Sequence, residues 1–299
     1  DGVFVHVAAN VVVDRPIQML FVTTSNSSDS NATESPMTHP RILIAAGANS
    51  QIRLVETYAG ETDTPYLTNV VTEVIGGENS AVDHYKLVRE ASAAYHIGHM
   101  HLRLNRSANF SSHAITLGGN IVRNDTVAVL DGEGVNCTLN GLYIAKGQRL
   151  VDNHTTIHHA KPHCESHELY KGILDDQAHA VFNGKIVVEI DAQKTDAKQT
   201  NKALLLSEDA QINTKPELEI FADDVKCTHG ATVGQLDADA MFYLRARGLG
   251  LEQARRVLIH AFASDLLSRI GIQSIRTDLD ELLLAQLSGS GKAGSYECG

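Results

Sequence analysis

The stretch AVFNGKIVVEI, residues 180–190, decides the fold because apolar and polar residues alternate in it with the two-residue period of a β-strand. Similar short runs recur from residue 1 to about residue 235, separated by Gly, Asn or Asp at turn positions. The other runs are FVHVAANVVV (4–13), RILIAA (41–46), QIRLVETY (51–58), HLRLN (101–105), TVAVLDG (126–132), LNGLYIAKG (139–147) and ALLLSEDAQI (203–212). The pattern predicts an all-β arrangement in this part of the chain.

A β-sandwich and a β-solenoid compete as interpretations of these strands. The solenoid is favoured because there are more strand candidates than one sandwich needs, because Asn and Thr recur at turns, and because aromatic residues make up only 5% of the chain, with no Trp. Coils of a parallel β-helix stack aliphatic side chains in ladders and repeat a turn in each coil. No strict sequence period accompanies the pattern.

Composition excludes several classes of protein. With 299 residues and 43% hydrophobic content the chain can bury a large core. A net charge of −11 argues against nucleic acid as the main partner, and no apolar run has membrane length. Cys137, Cys164, Cys227 and Cys298 are widely separated, which indicates free thiols in a reducing compartment.

The period of the apolar residues changes beyond Asp237. DADAMFYLRARG (237–248) predicts a helix with an Asp cap and a Gly terminus, and LEQARRVLIHAFASDLLSRI (251–270) predicts a second. Leucines that follow Asp278 predict a third. The predicted organisation is a β-helix core over 1–236, with a flexible polar loop at 23–36, and a helical segment over 237–299 that ends in a disordered tail from about 288.

Two motifs are considered and set aside. The glycines of GSGKAG (289–294) match a dinucleotide fingerprint, but no strand precedes them and no helix follows, so we expect this chain to bind no nucleotide. The second motif consists of His154, His158, His159, His163 and His167 beside Cys164. Pro162 and the Thr-Thr-Ile run disfavour the helix that would align these histidines, and along a strand His154 and His158 face away from His159. Structural histidines are the favoured interpretation, with a stand-alone metal-binding protein as the alternative.

Cys227 and His229 form the second constellation, in ADDVKCTHGATVG (222–234). Strand alternation places both side chains on one face, where a thiolate and an imidazole could bind one soft or borderline metal. Lys226 and the neighbouring backbone are expected to lower the thiol pKa. Two ligands cannot complete a tetrahedral site, so a partner chain would have to contribute the others. A buried Cys beside a capping His is the alternative interpretation.

The sequence over 189–249, which includes DDVKCTHGATVG, resembles the SufB/SufD family, the scaffold subunits of the SUF iron–sulfur cluster assembly machinery. DGVFVHVAANVVVDRPIQMLFV (1–22) and HCESHELYKG (163–172) also resemble the solenoid of that family, and the Cys-x-His pairing is similar to its SufD branch. The resemblance spans essentially the whole chain, with 60–150 matching in pattern more than in motif.

The resemblance implies a right-handed parallel β-helix with helical ends, acting as a non-catalytic scaffold with SufB and the ATPase SufC. It implies that Cys227 and His229 lie at the SufB interface and hold a transient iron–sulfur cluster or iron there. The C-terminal helices would dock SufC, for which the expected contacts are Phe242, Tyr243, Arg245, Arg247, Leu258 and Phe262. An isolated chain could pair with itself through the same edge. Cluster type and a flavin in the complex stay open, and the implied location is the cytoplasm, or the plastid stroma in a plant or alga.

A carbohydrate-active enzyme is the competing function for a β-helix. Such sites usually need paired carboxylates and an aromatic platform for the sugar on one face of the solenoid. Neither a paired-acid motif nor any Trp is present in the sequence, so this function is disfavoured.

Overall fold

The computed structural model describes residues 2–24, 35–61 and 64–287, which form parallel strands followed by three helices. The chain divides into two compact units, Asp1–Gly234 and Gln235–Gly299. The predicted polar loop at 23–36 falls mostly outside the described residues, and the predicted tail from 288 falls wholly outside them.

The first unit contains the strands. Their bounds are β1 Gly2–Val7, β2 Ile17–Thr23, β3 Met37–Thr38, β4 Arg41–Ala46, β5 Gln51–Gly60, β6 Leu67–Gly76, β7 Ala81–Arg89, β8 Tyr95–Leu104, β9 Asn109–Thr116, β10 Ile121–Leu130, β11 Asn136–Ala145, β12 Leu150–His159, β13 Glu165–Leu174, β14 His179–Val188, β15 Asp196–Leu205, β16 Gln211–Ile220 and β17 Lys226–Gly234.

Except for β3 and β4, which belong to one sheet, successive strands alternate between two parallel sheets. The order is β1-β4-β6-β8-β10-β12-β14-β16 in one sheet, with β3 beside β6, and β17-β15-β13-β11-β9-β7-β5-β2 in the other. The predicted parallel β-solenoid is therefore confirmed. Two predicted runs cross corners instead of forming one strand, since β1 ends at Val7 inside 4–13, and 203–212 joins the end of β15 to the start of β16.

One corner of the solenoid repeats a backbone conformation instead of a sequence motif. Its residues with positive φ are Asn10, Asn49, Asn79, Ser107, Gly134, His163 and Lys194. Each donates its N–H to a carbonyl in the same corner of the next coil, as in Asn49 to Glu78 at 2.8 Å. Amide side chains extend the ladder, because Asn79 donates to Asn49 and Asn49 donates to Asn10, both at 2.9 Å. Because this corner is defined by backbone geometry, several residue types satisfy it and no strict sequence period results.

Two of the large aromatic rings in the interior lie opposite a glycine in the neighbouring coil. Tyr143 is in register with Gly172, and Tyr170 with Gly141. A Cβ at either glycine would lie 2.3 Å from the opposing ring. The remaining inward positions are mainly aliphatic, as the low aromatic content predicts.

A carboxyl group also lies among these inward side chains. Glu168 on β13 is 3% exposed, and its Oε2 accepts a hydrogen bond of 2.7 Å from Nε2 of Gln199 on β15. Burial raises the pKa of Glu168 to about 7, and hydrogen bonds from Thr155 and Gln199 oppose that rise. The alternating pattern did not predict this inward acid.

The second unit contains α1 Ala238–Ala246, α2 Leu251–Leu267 and α3 Gln273–Leu287. The predicted caps of α1 are confirmed, since Asp237 accepts a 2.8 Å bond from the Ala240 N–H and Gly248 has a φ of +93°. The buried residues of α2 are Ala254, Ile259, Ala263, Leu266 and Leu267. The third helix begins five residues before Asp278. None of the described helices combines the length and the apolar character needed to cross a membrane.

Replacing Ser107 tests the corner ladder. We expect Ser107→Asn to raise the free energy of unfolding by roughly 0.5–1 kcal/mol, because Asn tolerates positive φ and can extend the amide ladder from Asn79. The contrasting variant Ser107→Val should lower it by about 1–2 kcal/mol, since a β-branched residue is strained at this φ. Urea denaturation measures both, and equal stabilities for the two variants would contradict the role assigned to this corner.

Replacing Glu168 tests the effect of its burial. Because the folded-state pKa of about 7 lies above the ordinary carboxyl pKa of 4.5, the stability that this group contributes is present below pH 4.5 and is lost as pH rises through 7. We therefore expect the free energy of unfolding of Glu168→Gln to rise relative to that of the natural chain as the pH increases from 5 to 8, by up to about 3 kcal/mol. Denaturation at both pH values measures the gain. The exposed Glu165 on the same strand provides the control, and Glu165→Gln should show no such gain; a pH-independent effect of Glu168→Gln would contradict the assignment.

Candidate functional site at the terminal strand

The candidate site lies on β17, the terminal strand of the eight-stranded sheet. Within the part of the chain that the structure describes, β17 pairs with β15 alone. Cys227 is in register with Ala197, and His229 with Gln199. Both partners on β15 are buried and face the interior, so Cys227 and His229 continue two inward ladders of side chains.

The end position of β17 changes the exposure of these inward residues. Cys227 is half-buried and packs against the edge of the core, whereas His229 is exposed. Farther along the strand Val233 is also inward by register, opposite Ala203, and it is 45% exposed. Residues of β17 that face inward are therefore partly exposed to solvent at the end of the solenoid. A chain that covered this edge would bury them.

The thiol of Cys227 does not have the lowered pKa that the sequence suggests. Burial raises its pKa, and the charge of Asp196 raises it further, while a hydrogen bond from the Ala197 backbone opposes both. Lys226 is the residue before it in the strand, in register with Asp196, and alternation places it on the outer face. The expected effect of Lys226 on the thiol is therefore wrong, and Cys227 has to lose a proton before it can bind a metal.

An inward column of polar side chains continues beneath His229. Gln199 is its register neighbour on β15, and Glu168 is the register neighbour of Gln199 on β13. Gly184 on β14 leaves space for the amide, since a Cβ there would lie 2.3 Å from Nε2 of Gln199. This column was not predicted from the sequence, because its register joins strands that lie far apart along the chain.

The five histidines of the His-rich segment are distributed over both faces and a corner. His154 and His158 face outward on β12, where His154 lies 2.9 Å from Asp152 and His158 lies 2.6 Å from Glu189. His159 is buried and bonds the Ser166 hydroxyl at 2.8 Å, and His163 occupies the corner ladder. Among the described residues, no three His, Cys, Asp or Glu side chains are grouped so that they could hold a metal ion.

A charged cluster near the start of the solenoid was also not predicted from the sequence. Glu56 lies 3.1 Å from His84, and Glu90 lies 3.1 Å from His96, with each of the four side chains at most 1% exposed. Lys86 donates to Asn124 at 2.7 Å, and desolvation lowers its pKa to about 8. The alternation in β5 and β7 could have shown that these positions face inward. Charged residues in alternating runs are, however, normally assigned to the outer face.

The helical unit displays part of the predicted docking set. Phe242 is 74% exposed and Tyr243 is 56% exposed, and the guanidinium carbon of Arg247 lies 4.7 Å from the Tyr243 ring centroid. Arg245 is exposed on the same helix, while Leu258 and Phe262 on α2 are half-buried. Aromatic and basic side chains are therefore exposed on α1 and at its C-cap Arg247, and their role in docking stays a prediction.

Comparison with known proteins places this sequence in a family. Residues 26–262 match the model of the SufBD core domain of the SUF system for iron–sulfur cluster assembly. An iron–sulfur cluster assembly SufBD family protein of Synechocystis is 36% identical over 92% of this chain and 61% of its own length. The SufD protein of Escherichia coli is 33% identical over 93% of this chain and 65% of its own length. Protein ABCI7, chloroplastic, of Arabidopsis thaliana is 31% identical over 92% and 58%.

The chain thus spans about three fifths of the length of these relatives. The matched region contains most of the parallel solenoid, the terminal strand with its Cys-x-His pair, and the first helix. On these grounds the chain belongs to the SufBD family of the SUF iron–sulfur cluster assembly system.

Proposed function

We propose that the chain is a SufD-type scaffold subunit that, with SufB, forms the interface where a nascent iron–sulfur cluster is built. One observation carries the proposal: the register places Cys227 and His229 on inward ladders of a terminal strand whose second edge is unpaired in the described residues. A partner covering this edge would bury both side chains between the two chains. The similarity to the E. coli iron–sulfur cluster assembly protein SufD supports this role.

The chemistry of the pair suits a site shared between two chains. A thiolate and an imidazole are ligands for iron, but two ligands leave a tetrahedral ion incomplete. SufB would supply the remaining ligands, and such a divided site can release its product when the interface opens. The cluster, or the iron that precedes it, is cargo in this proposal, and the scaffold itself catalyses no reaction and binds no nucleotide.

The helical unit would dock the ATPase SufC. Aromatic and Arg side chains dominate the energetics of protein interfaces, and α1 exposes Phe242, Tyr243, Arg245 and Arg247 together. Movement of the docked helices during ATP hydrolysis would then open the interface at β17. We propose the cytoplasm as the location, or the plastid stroma in a plant or alga, where the chloroplastic relative supports it.

Substitution of the pair tests the scaffold function. In a complex purified with SufB and SufC, Cys227→Ala and His229→Ala should each lower the rate of cluster assembly at least about tenfold, since losing a ligand costs no less than losing its outer-shell partner. Anaerobic reconstitution followed by absorption spectroscopy measures the rate, and gel filtration should show an intact complex.

Thr228 offers a matched control because it lies between the two residues and faces outward opposite Lys198. Thr228→Ala should assemble clusters at the rate of the natural chain. Full assembly activity in both the Cys227→Ala and the His229→Ala complexes would disprove the proposed role.

Substitution on α1 tests the docking of SufC. Tyr243→Asp should raise the Kd for SufC about tenfold or more, because it removes an exposed aromatic contact and its stacked Arg247. Leu284 on α3 is 46% exposed and serves as the control, with Leu284→Ala expected to leave the Kd unchanged. Calorimetric titration measures both, and unchanged binding by Tyr243→Asp would place the docking surface elsewhere.

A further inference from the structure

Two buried amide oxygens lie directly beneath the terminal strand without a hydrogen-bond donor. Oε1 of Gln199 and Oδ1 of Asn201 have no partner among the described residues, although each side chain is only 1% exposed. Leaving a buried acceptor unsatisfied costs about 1–3 kcal/mol, so each such group requires an explanation. Both residues belong to β15, the strand that pairs with β17.

The orientation of the Gln199 amide is fixed by its surroundings. Its Nε2 donates to Oε2 of Glu168 at 2.7 Å, and Gly184 provides the space that this nitrogen occupies. Because the nitrogen is held by the carboxyl group, Oε1 is left as the acceptor available to another donor. Gln199 is thus a preoriented acceptor inside the solenoid.

His229 is the nearest source of such a donor along this column. It is in register with Gln199 on the same inward face, and adjacent strands in a sheet are about 4.8 Å apart. An imidazole that binds a metal through one nitrogen usually donates from the other to an oxygen acceptor, which fixes its tautomer and orientation. Asn201 differs in this respect, because its register partner is Ala231, which has no donor in its side chain.

We propose that Gln199, held in place by Glu168, is the positioning residue that accepts a hydrogen bond from the His229 imidazole when a partner covers the end of the solenoid. The inference rests on the proposed function, because it requires His229 to act as a ligand at the covered edge. It extends the candidate site from two residues on β17 to a column of three side chains on three successive coils: His229, Gln199 and Glu168.

The proposal is tested in the complex of the full chain with SufB and SufC. Gln199→Leu should lower the rate of cluster assembly about 10- to 100-fold, the usual cost of losing an outer-shell partner of a ligand. The control Asn201→Leu removes the other unpartnered amide from the same strand and should change the rate less than about twofold, since no imidazole faces it. Equal losses in the two variants would overturn the proposal.

An exchange variant separates positioning from packing. The double variant Glu168→Gln with Gln199→Glu exchanges the two side chains. The amide at position 168 can then donate to the carboxyl group at position 199, whose second oxygen can accept a hydrogen bond from His229. We expect it to restore assembly to within about threefold of the natural chain, which a purely structural loss would not explain. Failure of the exchange variant to exceed Gln199→Leu, with circular dichroism showing both folded, would contradict the proposal.

Pulsed EPR of the reduced, cluster-loaded complex supplies a readout besides activity. Nitrogen hyperfine couplings that disappear in His229→Ala identify the imidazole as a ligand, and Gln199→Leu should shift those couplings. If the couplings depend on His229 but stay unchanged in Gln199→Leu, the positioning role fails while the proposed function stands. If the natural complex shows no His229-dependent coupling, both the proposed function and this inference fail.

Discussion

Backbone stacking between coils is the constraint on which the rest of the structure depends. Each corner residue with positive φ donates its N–H to the next coil, and this bonding helps to hold the strands in register from Asn10 to Lys194. Fixed register determines which side chains lie above one another inside the solenoid. The Tyr–Gly pairs, the buried Glu168–Gln199 bond and the position of His229 all follow from it.

The same constraint gives the end of the solenoid its chemical character. A strand inside the stack has its inward side chains covered by both neighbouring coils, whereas β17 has a neighbour on one side only in the described residues. Its inward positions therefore remain partly exposed while they stay aligned with buried groups below them. An exposed edge of this kind favours pairing with another chain, and in the proposed complex the thiol and the imidazole would lie between the two chains.

The local features of the fold could be predicted from the sequence, and the longer-range ones could not. Alternation in 222–234 was sufficient to place Cys227 and His229 on one face, and Asp237 and Gly248 were sufficient to bound the first helix. The link from His229 to Gln199 was not predictable, because it depends on register between strands that are separated by two corners and a whole strand of the other sheet. The corner itself accepts Asn, Ser, Gly, His and Lys, so it leaves no motif in the sequence. The proposed partners come from the resemblance to a family, because composition and residue spacing give no information about them.

In the proposed complex a partner chain covers the free edge of β17. Amide hydrogen exchange over residues 226–234 measures this most directly, because an unpaired edge strand exchanges rapidly and a covered one is protected. We expect fast exchange in the chain alone for the alternate amides of β17 that point away from β15, and at least about tenfold slower exchange of the same amides in the complex with SufB. Unchanged exchange at 226–234, with protection appearing elsewhere on the solenoid, would contradict it.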